Sequence, residues 1–450
     1  NNKAYQWTIN GNGAVTDNWS MSSTWMFYDS KEPANKYYTD IMGVTPTFDT
    51  GGATLFRRAY VLALNSTHLL ADADVLTLRY GYTYFDDSVS NPSFSTTDAR
   101  TLGFKGHWLD QVQLEQYPSI SANGYGDGVN THGSWSSNNI EWWSQEVSAT
   151  YSKFIGAHTV KYGGQWRRMG LNAFDFDNGF RFSFDENRTS GGISGAGDSI
   201  ASMVIGTPIA SGGGNATIPT PGEFFLDYFG GFVQDDWRLN ENLVLNLGLR
   251  FEYETGLNET ENRFAVGFTR DDEYPIQVNP PATLTSAPGF PLKGGLVYPG
   301  ELGLPDHQWN PEVVKLGPRA GFAYSLTDKT VLRGGFGVYW APYAIPSGTS
   351  QSHTGTAGYT AVTFYEGGTN ASPPKGSAGG GHGSLTDPYP AGLNTPTQDR
   401  LGQITNAGDN VIFNDQFKKS PYITKWSFDY QRDVWDSIAL KIGYVGSKGS

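Results

Sequence analysis

The chain has no cysteine among its 450 residues. A disulfide scaffold and a cysteine-ligated zinc site are therefore excluded, although this does not fix the compartment. No apolar run approaches the roughly 18 residues that a spanning helix needs. Basic residues are in the minority, 31 Lys and Arg against 44 Asp and Glu, for a formal charge of −13. That balance argues against a nucleic-acid partner, which favours a basic stripe. Apolar residues are also scarce, at 38%. What the chain does have is 14% aromatics, 57 Gly and 24 Pro. Few hydrophobes with many aromatics and glycines suit an all-β protein with long loops. The length fits about three ordinary domains or one large barrel. No signal peptide is visible at Asn1, which opens directly in strand-like sequence, and the chain ends on GYVGSKGS just after a strand. Both ends read as cut, so a fragment is expected.

The clearest pattern is YFGGFVQDDWRLNENLVLNLGLRFEYE, Tyr228 to Glu254. Leu243, Leu245, Leu247, Leu249, Phe251 and Tyr253 take every other position, with Asn246, Gly248, Arg250 and Glu252 between them. Side chains alternate across a strand, so one face is apolar and the other mostly polar. Leu239-Asn240-Glu241-Asn242 is read as the turn, on its Asn residues.

Five further hairpins follow the same rule. The first alternates at Tyr5, Trp7 and Ile9, turns at Asn10-Gly11-Asn12-Gly13, and alternates again from Trp19 to Phe27. The second pairs Leu55–Leu64 with Val75–Phe85. The third pairs Glu141–Tyr151 with Thr159–Arg168 around Gly156. Phe225–Trp237 opens the fourth, already described. The fifth pairs Pro318 to Tyr324 with Leu332 to Trp340, and the sixth pairs Trp426 to Tyr430 with Ile438 to Tyr444. Between hairpins lie long segments, 29–53, 86–139, 169–222, 255–316 and 341–421, read as loops. In the third of these, Asp198 can cap a short helix whose Ile200, Met203 and Val204 share a face, with Gly206 and Pro208 ending it. Gly212-Gly213-Gly214 and Ala378 to Gly383 are read as loop.

Short turn and long loop thus alternate throughout. Outer-membrane barrels have this asymmetry, with tight periplasmic turns and long extracellular loops. The expected fold is all-β: an antiparallel, up-and-down transmembrane β-barrel, incomplete, with about twelve strands in six hairpins. Trp237 and Trp435 lie beside short turns, and Tyr253 and Trp340 at the opposite strand ends, as two interfacial belts would require. The alternative is ordinary half-buried strand aromatics of a soluble β protein. Asn246, Arg250 and Glu252, like Arg319 and Lys441, are expected to face the lumen; the plainer role for each Arg is an ion pair across neighbouring strands.

At these residues the chain resembles a family. FVQDDWRLNENLVLNLGLRFEYE (Phe232–Glu254) resembles a barrel hairpin of TonB-dependent outer-membrane receptors, and GPRAGFAYSLTDKTVLRGGFGVYWAP (Gly317–Pro342) the hairpin after it. SIASMVIGTP (Ser199–Pro208) resembles a short loop helix of Oar-like receptors, and YITKWSFDYQRDVWDSIALKIGYVGSKGS (Tyr422–Ser450) a later hairpin. The likeness is better in the second half than the first. It implies a Gram-negative outer-membrane location, a barrel of about 22 strands, a plug inside it and a TonB box. On this basis residues 1–450 are part of one receptor barrel domain, with the plug and a terminal strand lying outside the chain. The implied partners are outer-membrane lipid, the protein's own plug, the TonB system and an unknown solute at the extracellular loops. The implied role is energised uptake of a large or scarce solute. A passive porin or adhesion barrel is the rival, followed by a soluble glycan-binding protein.

No catalytic chemistry is expected. His68, His107, His132, His158, His307, His353 and His382 lack the close spacing of a helical zinc motif. No G-x-S-x-G elbow occurs. Gly334-Gly335-Phe336-Gly337 lies in a strand, where small residues ease close packing or bending. Asp235 and Asp236, being adjacent in a strand, must face opposite sides. Asp86-Asp87, Asp271-Asp272-Glu273 and Asp175 with Asp177 are read mostly as solvated acids, with a calcium or glycan contact as the alternative for those in loops. No catalytic residue, metal ligand or cofactor is assigned, and the solute-binding residues are not identified.

Overall fold

The alternating stretches fold as strands because each sets its odd or even side chains on a single face. The computed structural model describes residues 2–33, 54–70, 74–90, 98–112, 118–125, 137–176, 180–209, 213–276, 293–308, 315–342, 355–365, 384–416, 419–435 and 438–450. Twelve of its strands make one antiparallel wall in chain order. They are β1 (Lys3–Thr16), β2 (Trp19–Glu32), β3 (Thr54–Leu69), β4 (Val75–Ser90), β5 (Ser137–Ile155), β6 (His158–Phe176), β7 (Gly222–Arg238), β8 (Leu243–Glu254), β9 (Lys315–Thr327), β10 (Thr330–Trp340), β11 (Tyr422–Trp435) and β12 (Ile438–Gly449). This is the expected six-hairpin, up-and-down order. The sheet is barrel-like and open, with β1 and β12 as its edges.

The turn of the first hairpin is not where the Asn-Gly dipeptides place it. Asn10 to Gly13 lie inside β1, paired with Thr24 to Met21, and the chain turns at Asp17-Asn18. Turn chemistry marks where a chain can reverse, whereas pairing decides where it does. Here Trp7 packs against Trp25 and Phe27, each at 5.3 Å, and that cross-strand cluster sets the register. The Leu239–Asn242 turn is as expected, with Asn240 Oδ1 accepting from the Asn242 amide at 2.9 Å.

Glycine in the wall is matched to aromatic rings. Gly334 of β10 pairs with Phe322 of β9, and a Cβ at Gly334 would sit 2.3 Å from the Phe322 ring. Trp143 covers Gly170 and Trp426 covers Gly446 in the same manner. A ring lying over a cross-strand glycine fills the missing side chain's place and pins the register. Gly334→Val is therefore expected to cost about 1–3 kcal/mol through overpacking. Chemical unfolding in detergent checks this, and Phe322→Ala in the same chain should restore much of the loss. A Gly334→Val protein as stable as its parent would show that the ring can simply move aside.

The largest departure from expectation concerns the long connections, which are folded. Phe180–Phe184 lies between Ser119–Ala122, its parallel partner, and Gly214–Pro219, which in turn pairs with Thr360–Phe364. Gly214 thus begins a strand rather than continuing a loop. Gly267–Glu273 and Lys293–Val297 form a further hairpin. These pieces hold the principal hydrophobic core. Trp108, Phe180, Phe182, Phe184, Tyr365 and Tyr389 are buried together, with ring contacts of 5.1–6.1 Å such as Trp108 on Phe180 and Phe182 on Tyr365. A second cluster welds this cap to the wall: Leu171 and Phe224, at strand ends, pack on Leu257, Phe264 and Tyr359.

The expected helix is present at Ser199–Val204, and Asp198 caps it by accepting from the Ile200 and Ala201 amides. Its buried face is Ser199 and Ser202, however, while Val204 is exposed. Ser199 donates to the Asn123 carbonyl and Ser202 to the Asp198 carbonyl, and Met203 packs against the aromatic core, so hydrogen bonds and one apolar contact together seat it. The run from Ala378 to Gly383 and most of the segment 29–53 lie outside the described residues.

Candidate functional site

The wall offers two faces with different chemistry. On β8, Leu247, Leu249 and Phe251 are 45%, 44% and 40% exposed, whereas the Arg250 and Glu252 side chains on the other face are 21% and 18% exposed. The apolar face is continuous across the sheet, through Val233 on β7, Tyr162 on β6 and Val147 on β5, all exposed. A large bare apolar band on one face of a sheet is a lipid-facing surface. Leu247→Arg is accordingly expected to cost about 2–4 kcal/mol of membrane stability, while Asn246→Arg, on the lumen face, is tolerated. The fraction assembled in lipid vesicles reads this. Assembly of Leu247→Arg with failure of Asn246→Arg would mean that the faces are reversed.

The edges of that band are marked twice over. Near the short turns, Trp19 stacks on its cross-strand partner His68 at 5.4 Å, and Trp237 on His158 at 5.1 Å. Near the long connections, the same strand pairs carry Asp29 with Arg58 at 3.2 Å and Asp227 with Arg168 at 2.7 Å. Each upper pair lies ten residues from its lower pair, positions 29 and 58 against 19 and 68, and 227 and 168 against 237 and 158. At ~3.3 Å per residue that is ~33 Å along the strand, and a tilt of about 40° projects it to ~25 Å, the height of an outer-membrane apolar band. The residues expected to form belts, Trp237, Trp435, Tyr253 and Trp340, lie at the strand ends: Phe229 joins Tyr253 at 6.2 Å, Tyr422 joins Trp340 at 5.0 Å, and Trp435 is exposed beside its short turn. His68 and His158 are thus belt residues, a role their sequence spacing did not announce.

The lumen face is a polar network at one side and an open positive surface at the other. Arg250 Nε donates to Glu252 at 2.6 Å, and its Nη2 donates to Tyr228 at 2.8 Å and Gln165 at 3.2 Å. Arg167 binds Glu146 at 3.2 Å and lies over the Tyr228 ring. The ion pair of Arg250 is therefore within its own strand, and the cross-strand links run through Tyr228 and Gln165. Farther along the sheet, Arg319 and Lys425 flank the Tyr339 ring at 4.8 and 5.8 Å. Among the described residues neither meets a carboxylate within ion-pair distance. Asp235 and Asp236 diverge as alternation requires: Asp235 lies 2.7 Å from His158 on the outer face, and Asp236 accepts from Asn246 at 2.6 Å on the inner one.

Above the wall, burial and hydrogen bonding shift the ionisable groups of the cap. Burial pushes the Tyr298 hydroxyl up to about 12, and that hydroxyl donates to the Gln398 carbonyl at 3.2 Å. Burial, reinforced by the Glu259 carboxylate, raises Tyr359 far above the ordinary phenol range, and burial does the same to Tyr389. All three stay protonated at neutral pH. His307 is pushed down by burial and is held neutral. The Tyr125 hydroxyl and the helix amides hold the Asp198 carboxyl below its usual range. His132, His353 and His382 lie outside the described residues.

Among solved structures, the chain is similar in fold to outer-membrane transporters. YddB from Escherichia coli matches at 11% identity over 99% of this chain and 46% of that one, with a TM-score of 0.44. The ferric yersiniabactin uptake receptor FyuA from Yersinia pestis matches at 8% over 100% and 45%, with 0.40. The siderophore receptor PiuA from Acinetobacter baumannii matches at 9% over 99% and 49%, with 0.41. The chain therefore spans about half the length of these structures or less. A search of curated proteins returns no match. The profile of the outer membrane beta barrel domain matches residues 1–450. A lipid-facing band of the right height, a polar inner face and that match along the whole length lead to one conclusion: the chain is an outer-membrane protein and belongs to the outer membrane beta-barrel domain family.

Proposed function

We propose that the chain is part of the barrel of a TonB-dependent, Oar-like uptake transporter. In this role the long connections face outside and capture a solute, and the polar inner face lines the route inward. A plug and a TonB-contacting segment are contributed by sequence outside these 450 residues, and transport rather than catalysis is the activity. The observation that carries this reading is the folded cap. Its buried aromatic core and its weld to the strand ends build a rigid structure above a polar lumen. A passive pore gains nothing from such a structure over its mouth, whereas a capture surface must hold its contacts in place.

Genetic interaction tests it. Removing the protein and removing TonB should each lower growth on a scarce nutrient, and removing both should be no worse than either alone. Additive losses would instead assign a passive route.

A further inference from the structure

The cap contains two clefts of opposite character. One, of about 300 Å³, is lined by Asp271, Asp272 and Asp415 beside Arg270. The other, of about 550 Å³, lies where the connections after β4, β6, β8 and β10 meet. That volume is in the range of small-molecule sites, about 300–1,000 Å³. It has no acidic residue in its lining, although the chain as a whole carries 44 Asp and Glu. Its charged groups are Arg263 and Arg400, and Gln111, Gln398 and Thr220 supply further polar contacts.

Each of these groups is held in place by the cap. Glu259, with a fully buried side chain, accepts from the Arg263 backbone amide at 2.8 Å and from its Nη2 at 3.0 Å. The same Nη2 donates to the Pro221 carbonyl at 3.2 Å, Nη1 lies 3.2 Å from the Glu261 carboxylate, and the Arg263 Nε is buried with no partner. Arg400 donates from Nε and Nη2 to the Thr397 and Pro396 carbonyls and meets no carboxylate among the described residues. Its Nη1 is left for an acceptor from outside. Gln111 accepts from the Leu393 amide at 2.7 Å, which leaves its NH₂ group as a donor. Gln398 has a φ of 51°, a conformation that costs a residue with a side chain about 1–3 kcal/mol. It is fixed there by its backbone N–H, which donates to the Gly358 carbonyl at 2.9 Å, and its side chain donates to Thr220 at 3.3 Å. Pro219, Pro221 and Pro396 make the walls stiff.

A guanidinium presents a planar fork of donors that matches a carboxylate in two-point geometry. Two carboxylates neutralise Arg263, so Arg400 is the cation that draws a counter-ion into the cleft, even on an acidic protein. We infer that this cleft is a capture site for a solute bearing carboxylate groups. The inference rests on the uptake reading and gives it a substrate class. The genetic test above addresses transport, and binding to purified protein addresses the cleft, so each can fail without the other.

Trigalacturonate is a suitable probe for the full chain in detergent micelles, titrated calorimetrically at low salt. It should bind saturably, and its methyl ester, of similar shape without the charges, should bind at least tenfold more weakly. Arg400→Gln should weaken the acid at least tenfold, whereas Arg270→Gln, in the other cleft, should not change it. Arg263→Gln leaves the buried Glu259 unpaired and can fail to fold, so exposed Arg400 is the informative position. Inorganic phosphate at equal concentration should not displace the probe. Equal binding of acid and ester, unaltered binding by Arg400→Gln, displacement by phosphate or absence of saturable binding would each overturn the assignment.

Discussion

Lys315→Met should destabilise the folded protein by about 3–5 kcal/mol. Lys315 opens β9 and Glu254 closes β8, and Nζ lies 2.5 Å from the Glu254 carboxylate with both side chains 1% exposed. Removing the ammonium leaves a charge buried where water cannot reach it. The gain from the intact pair is a separate matter, because desolvating two ions offsets most of their attraction. The double change Lys315→Met with Glu254→Leu should therefore recover most of the loss. Denaturant midpoints in detergent for the two singles and the double decide it. If the double is as unstable as Lys315→Met alone, the cost lies in packing at this strand end and not in the broken ion pair.

Phe182→Ala should cost about 3–5 kcal/mol as well, but in a different part of the molecule. Its ring is 1% exposed, stacked on Phe104 at 5.8 Å and edge-on to Phe180 and Tyr365 at 6.1 Å. Those partners come from connections far apart in sequence, so the cavity loosens the cap as a unit. The wall shares no residue with that cluster and should keep its assembly. Limited proteolysis should cut the cap of Phe182→Ala many times faster than that of the parent. The heat-modifiable gel mobility, which reports the wall, should stay the same. A joint loss of both signals would mean that cap and wall fold as a single cooperative unit.

The wall could be read from sequence because its rule is local. Leu243 to Tyr253 alternate within eleven positions, and lipid on one side and water on the other enforce that period strictly. The first turn differs from its expected place because Asn10 to Gly13 satisfy every local turn preference, while the deciding contact, Trp7 on its partner Phe27, is a cross-strand pair. The cap was missed for a stronger form of the same reason. Its strands are four to seven residues long and come from several connections, and Ser119–Ala122 pairs in parallel with Phe180–Phe184 some sixty positions later. The alternation Phe180-Arg181-Phe182-Ser183-Phe184 was the visible signal, short enough to be lost in a long polar segment. The arginine cleft had no signal at all, since Arg263 and Arg400 are 137 positions apart and only the folded cap brings them together.

The paired marks on the wall, tryptophan with histidine below and arginine with aspartate above, make the protein a gauge of bilayer thickness. Two strand pairs carry the same separation, so the hydrophobic span is the same on well-separated parts of the wall. A bilayer several ångströms thicker than that span must thin around the protein, at a cost of fractions of a kcal/mol per ångström. In a membrane of mixed composition the cheapest response is to recruit shorter-chain lipid as an annulus. The wall would then select its lipid neighbours by length, before any headgroup chemistry is considered.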